Sequence, residues 1–166
     1  MDIFKQIPEE LDQFAGDLVL AVIGEDERPL RASNAWIDWR LYGSISELIK
    51  AGHFTGKLGE KCMVPTYGRF LFDRLVLLGG GTLFDDLVYP SSESGQERWR
   101  EIAQLVDSTI QSLKVDRIGI SLPRFDLTDH ERALVSTLQN SRLPTATSLF
   151  ISRALDRNGG AAQSLQ

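Results

Sequence analysis

The sequence holds one cysteine and two histidines in 166 residues, and these scarcities exclude several classes of chemistry. Cys62 alone forms no internal disulfide, which fits a reducing, cytoplasmic setting. Two histidines and one cysteine make neither His-Glu-x-x-His nor paired Cys-x-x-Cys, so the usual zinc-ligand spacings are missing. His53 and His130 are the only histidine bases and no Gly-x-Ser-x-Gly elbow accompanies them, which removes the familiar hydrolase constellation. The longest apolar stretches, Leu18 to Ile23 and Leu75 to Leu78, fall far below the ~20 residues that a membrane span needs. Met1 to Glu10 carries acids and a proline where a secretory leader needs a basic start and an apolar core. No cluster of lysine and arginine interleaved with aromatics occurs, so the counterion release that drives nucleic-acid binding has no source. The expectation is a chain with no cofactor, no metal, no membrane and no nucleic acid as partner.

What is present reads as one folded domain. Apolar residues make up 42% and charged residues 25%, a globular composition. The length closes one core, expected over residues 1–155, and the small, polar residues 156–166 read as a flexible tail. The net charge of −5 is an N-terminal property: residues 1–30 hold eight acids against Lys5 and Arg28, whereas the remainder holds fifteen acids and sixteen bases.

The periodicity predicts alternating strands and helices. Asp17 to Gly24 is a continuous apolar run bounded by turn residues, the pattern of a strand covered on both faces. Ser33 or Asn34 is expected to cap a helix starting near Ala35, which Gly43 interrupts. Ser44 and Glu47 have capping-box spacing ahead of a short helix from Ile45 to Ala51. Lys61 to Thr66 and Phe70 to Leu78 read as an antiparallel hairpin around Tyr67-Gly68-Arg69. Ser94 and Glu97 precede Trp99, Ile102, Ala103, Val106, Ile110 and Leu113, which recur at helical spacing. Arg117 to Leu122 follows as a strand, so the helix makes a crossover between parallel strands. Thr128 and Glu131 cap a last helix to Gln139, and Thr145 to Ser152 is β-branched enough for a final strand.

Several local motifs resemble ligand sites and fail on spacing. Gly79-Gly80-Gly81 follows a strand, but the third glycine of a dinucleotide fingerprint would fall at Phe84, where no helix opens. The segment from Gly52 to Leu58 is one residue short of a phosphate-binding loop, and Leu58 replaces the magnesium-binding hydroxyl. Asp85-Asp86 reads as a solvated loop pair and Cys62 as a small strand residue.

The order of features is similar to a known family. Asp17-Leu-Val-Leu-Ala-Val, then Gly43 through Phe54-Thr-Gly56-Lys57-Leu-Gly59-Glu60, then Phe72 through Gly79-Gly-Gly81 resembles the N-terminal domain of the two-metal leucine aminopeptidases over residues 15–125. The resemblance implies an α/β, three-layer, macro-domain-like fold: a central mixed, mostly parallel sheet with helices on both faces. In that family catalysis belongs to a separate C-terminal domain, and its Asn-Thr-Asp-Ala-Glu-Gly-Arg motif has no counterpart here. No catalytic residue is carried over, and the chain is expected not to be an enzyme.

Two functional expectations follow from the resemblance. The first is a protein-association or regulatory module, a homodimer or a complex with one companion protein. An N-terminal domain without its catalytic neighbour leaves interdomain surface uncovered, and Trp36, Trp39 and Tyr42 are the candidate anchors. The second, disfavoured expectation is a module binding ADP-ribose or a related nucleotide through Asp17, Gly79, Gly80, Gly81 and Thr82. Gly24-Glu25-Asp26-Glu27 stands where macro domains carry an asparagine-bearing loop, and its negative charge is expected to repel a diphosphate.

Overall fold

The computed structural model describes residues 4–5, 8–83, 93–122 and 146–150. Its centre is a six-stranded sheet built from β1 (Phe4–Lys5), β2 (Leu18–Ile23), β3 (Lys61–Val64), β4 (Arg74–Gly79), β5 (Arg117–Ser121) and β6 (Ala146–Phe150). The spatial order is β1-β6-β5-β2-β4-β3. All neighbours are parallel except β3, which runs antiparallel to β4 at one edge. The expected mixed, mostly parallel sheet is therefore present.

The helices that follow from the sequence cover both faces. Alternate residues of β2 divide between two cores, as the period of a strand requires. Val19, Ala21 and Ile23 join Leu75 and Leu77 of β4 on one face, under helices α1 (Ala32–Arg40) and α2 (Ser44–Lys50). Leu18, Leu20 and Val22 join Val76, Leu78, Ile118 and Ile120 on the other, under α3 (Glu93–Leu113). Trp99, Ile102, Ala103, Val106 and Ile110 form the buried stripe of α3, at the spacing read from the sequence. That helix carries the chain from β4 across β2 to β5, the expected crossover.

Helix starts differ from the capping expectations. Helix α1 begins at Ala32, before Ser33 and Asn34, and its N-cap Arg31 has no side-chain cap. The two polar residues are buried in the first turn and reach across to the sheet instead. At α2 the N-cap is Gly43 in the left-handed region, and the capping acceptor comes from the preceding helix. Asp38 Oδ1 accepts the amides of Ile45 at 2.9 Å and Ser46 at 3.1 Å, whereas Ser44 donates its hydroxyl back to Leu41. The Ser44–Glu47 box is thus replaced by a helix-to-helix cap.

The β3–β4 connection is longer than a tight hairpin. Arg69 N–H bonds Thr66 O at 2.9 Å around Tyr67 and Gly68, where the turn was expected, but β4 starts only at Arg74. Phe70 and Phe72 precede the strand and stack at 4.6 Å in the core below α1, so their apolar character serves packing rather than strand pairing. Two elements lacked a sequence signal: the two-residue β1 and a 3₁₀ helix over Pro8–Gln13. The helix expected from Thr128 to Gln139 and the tail at 156–166 lie outside the described residues.

Candidate functional site

The loops after β2 and β4 leave the sheet on opposite faces, one toward α1 and the other toward α3. Ligands of open α/β sheets bind in the crevice that such divergence creates at the carboxyl ends of the strands. Here the chain fills it with its own segment 54–60. Gly81 N–H donates to Gly56 O at 2.9 Å, Gly59 N–H to Gly79 O at 2.9 Å and Gly79 N–H to Glu60 O at 2.7 Å. The segment is closed on itself: Glu60 Oε2 accepts Thr55 N and Gly56 N, each at 2.9 Å, and the Thr55 hydroxyl at 2.8 Å.

The glycine run is consequently occupied by backbone partners. Besides the bonds from Gly79 and Gly81, Gly80 N–H donates to Ile23 O at 2.9 Å, and Leu83 N–H donates to Asp26 Oδ1 at 2.8 Å. Gly79, Gly80 and Gly81 are buried, with Thr82 half-buried beyond them. A phosphate cradle needs amides free to point at the anion. Those of Gly79, Gly80 and Gly81 point at carbonyls.

Asp17 lies at the far end of the sheet. It precedes Leu18, which pairs with Arg74, whereas Gly79 pairs with Ile23, so the two candidates are separated by about 20 Å of strand. Asp17 Oδ2 accepts the amides of Asp116 at 2.9 Å and Arg117 at 3.0 Å, fixing the entry to β5. Those hydrogen bonds, first that of Arg117, hold its carboxyl below the ordinary carboxylate value. The structure therefore does not bring Asp17 and the glycine loop to one site.

The acidic loop after β2 is not uniformly solvated. Glu25 is exposed and Asp26 binds Leu83, but Glu27 is fully buried. Its carboxylate accepts Arg31 N–H at 3.2 Å and the Asn34 amide at 3.3 Å. Asn34 also donates to Val22 O at 2.7 Å and accepts the Ser121 hydroxyl at 2.7 Å, and that hydroxyl meets Ser33 Oγ at 2.7 Å. The chain of polar groups ties the ends of β2 and β5 to the first turn of α1. Burial pushes the Glu27 carboxyl up from 4.5 to about 7, against the opposing hydrogen bonds of Arg31 and Asn34. Glu27 thus points inward and adds no full, solvent-facing charge against an anion, contrary to the reading of the acidic run as one repulsive patch. No period or spacing in the sequence marked this network, because its members lie on three separate elements.

The candidate anchors divide. Trp36 is half-buried and donates its indole N–H to Asp12 at 3.1 Å, so it packs inward. Trp39 and Tyr42 are 65% and 77% exposed. They line a surface cleft of about 550 Å³ with Pro29, Leu30, Asp38 and Arg69. A second cleft of about 460 Å³ adjoins it through Tyr42 and reaches Val64, Pro65 and Tyr67. The Arg69 guanidinium lies 4.1 Å from the Tyr42 ring centroid and donates to its hydroxyl at 2.6 Å. Nothing in the sequence marks Arg69 beyond its place in the Tyr67-Gly68-Arg69 turn.

Among the described residues no group of three His, Cys, Asp or Glu side chains is placed to hold a metal. His53 is exposed and Cys62 sits partly buried on β3, apart from any such group. His130 and Asp85-Asp86 lie outside the described residues. No described helix is long and apolar enough to cross a membrane.

This sheet order, with helices on both faces and an antiparallel edge strand, defines a macro-domain-like α/β fold, and comparison with solved structures agrees. The macro domain of ganglioside induced differentiation associated protein 2 superposes with a TM-score of 0.64 at 9% identity, over 93% of this chain and 78% of that one. A tomato leucine aminopeptidase mutant superposes with a TM-score of 0.55 at 18% identity, over 92% of this chain and 32% of that one. Residues 19–142 match the N-terminal domain of the cytosol aminopeptidase family, and the chain belongs to that family. A probable cytosol aminopeptidase of Thermosynechococcus vestitus is 26% identical over 119 residues, which cover 70% of this chain and 22% of the relative. The chain thus spans about a fifth of that relative's length.

Proposed function

We propose that this chain is a non-catalytic association module that pairs with itself or with one companion protein through the Trp39–Tyr42 face. The observation that carries this reading is the grouping of Trp39, Tyr42 and Tyr67, all more than half exposed, around two adjoining clefts with an arginine stacked among them. Exposed aromatics and arginine dominate the energetics of protein interfaces, because they supply large contact area with few rotatable bonds. The cytosolic relatives support a cytoplasmic setting. The family match covers an N-terminal domain, so it lends no catalytic group to this reading.

Replacing Trp39 and Tyr42 together by alanine is expected to abolish association while leaving the thermal melt close to wild type, since both side chains are exposed. Size exclusion with light scattering reads the first and calorimetry the second. A wild type that stays monomeric at every concentration, with no companion retained through purification, sinks the reading.

Binding of a nucleotide has less support, because the glycine-loop amides are committed and the crevice is filled by segment 54–60. Calorimetric titration with ADP-ribose is expected to show no binding in the micromolar range. A micromolar dissociation constant that vanishes when Gly80 is replaced by a bulky residue would reverse the ranking.

A further inference from the structure

Loop 24–31, which joins β2 to α1, is closed over a carboxyl that water does not reach. The Glu27 side chain is fully buried and is held by the Arg31 backbone amide at 3.2 Å and the Asn34 side-chain amide at 3.3 Å, both neutral donors. The charged groups around it are turned elsewhere. In its own loop, Arg28 bonds the carbonyls of Gly24, Glu27 and Thr55, Asp26 accepts Leu83 N–H, and the side chains of Glu25 and Arg31 are exposed. Segment 54–60 brings an exposed Lys57 and Glu60, whose carboxylate is committed to Thr55 and Gly56. The sheet and α1 meet the cluster with the uncharged groups Val22 O, Ser121 and Asn34. An ionised carboxylate in this place has lost its water and gained no ion pair. The closed loop also holds backbone strain where it enters α1, since Ala32 sits in the left-handed region at a φ of 56.

The loop is interlocked with the segment that fills the crevice. Arg28 donates to Thr55 O at 3.1 Å, and Gly56 lies so close to Gly24 and Glu25 that a Cβ on it would come within 2.9 Å of their backbone. We propose that the Glu27 cluster is a pH-sensitive latch: once Glu27 is ionised, loop 24–31 swings it out to water and carries segment 54–60 off the strand ends, freeing the amides of Gly79 and Gly81. Burial pushes the carboxyl up from 4.5 to about 7 in the closed loop, whereas an opened, solvated loop restores the lower value. Below 4.5 both forms are protonated and the closed loop suffers no penalty. Between 4.5 and about 7 the open form releases its proton first, so opening grows as pH rises, and it levels off above that window. Glu60 does not drive the change: against its own desolvation, hydrogen bonds from Thr55 and Gly56 hold its carboxyl below the ordinary value, so it stays ionised throughout.

Amide hydrogen exchange of the full chain between pH 5 and 8, corrected for the intrinsic pH dependence of exchange, tests the latch. The opening equilibria at the amides of Arg31, Thr55 and Gly56 are expected to rise together by roughly 50- to 100-fold over that range, as release of one proton with these two values requires. The same amides should be more open at every pH than those at the centres of β2 and β4. In Glu27→Gln the rise should vanish. His53, the one histidine among the described residues, is present in both proteins and so does not account for a difference between them. A flat response in the wild type, or a rise that survives Glu27→Gln, overturns the proposal. So does a response at Arg31 that leaves Thr55 and Gly56 unmoved, because the loop would then open without the segment. Loop amides that exchange only as slowly as the centres of β2 and β4 also overturn it, since Glu27 would then act on global stability alone.

Discussion

Glu27→Gln is expected to stabilise the fold at and above neutral pH and to change it little below about pH 4.5. The Glu27 carboxyl titrates near 7 in the folded chain, against an ordinary value of 4.5. Below the lower value both folded and unfolded chains carry it protonated, so the folded state suffers no ionisation penalty. Between 4.5 and about 7 the unfolded chain releases the proton and the folded chain resists, so stability falls as pH rises through that window. The loss levels off above it at about 3 kcal/mol, the free-energy equivalent of the shift. Nothing in the loop neutralises the carboxylate directly, since Arg28 donates instead to the carbonyls of Gly24, Glu27 and Thr55. Glutamine keeps the shape and an acceptor for Arg31 N–H and Asn34, but carries no charge. Denaturant unfolding of both proteins across this pH range isolates the contribution. A difference between them that does not grow with pH would show that Glu27 ionises without penalty, and that water reaches the network.

The same network shows where sequence reading stops. The central strands and α3 were legible because each is long enough for its period to express itself: Leu18–Ile23 is buried on both faces, and the α3 stripe repeats over four turns. Ser33 and Asn34 have the look of caps in the sequence because a polar residue before an apolar run has two uses. It can cap its own helix, or, if the helix starts earlier, bond to a neighbouring strand. Only the position of Ser121 beside Asn34 decides between them, and that contact joins residues 87 apart in sequence. The exposed anchors were half legible. Trp36 and Trp39 stand three apart on α1 with ring centroids at 5.1 Å, yet one packs toward Asp12 and the other faces solvent. The glycine run is visible as a run, but its role depends on a segment some 19 to 25 residues earlier lying across it.

Gly79→Ala is expected to cost more than substitution of either other glycine in the run. A Cβ at Gly79 would overlap the carbonyl oxygen of Lys57 outright and lie 2.8 Å from the carbonyl carbons of Gly56 and Lys57. These are backbone atoms, so no rotamer change relieves the clash. At Gly80 the same atom meets the side-chain ends of Leu83 at 3.0 Å and Val22 at 3.2 Å, which can shift by tenths of an ångström. At Gly81 the contacts are looser, and the cost comes from a φ of +69, on the order of 1 to 2 kcal/mol for a residue with a Cβ. Overpacking typically costs about 1 to 3 kcal/mol, and an unyielding backbone neighbour sets Gly79→Ala at the upper end or beyond. Segment 54–60 must then lift off β4, breaking the bonds of Gly79 N–H to Glu60 and Gly81 N–H to Gly56. The chain should become open to proteolysis at Lys57 before it unfolds globally. Thermal melts of the three alanine variants, with limited trypsin digestion, check the order. A Gly79→Ala protein as stable and as trypsin-resistant as Gly80→Ala would mean that segment 54–60 does not lie on the strand end, and the crevice it fills would again be a candidate for a ligand.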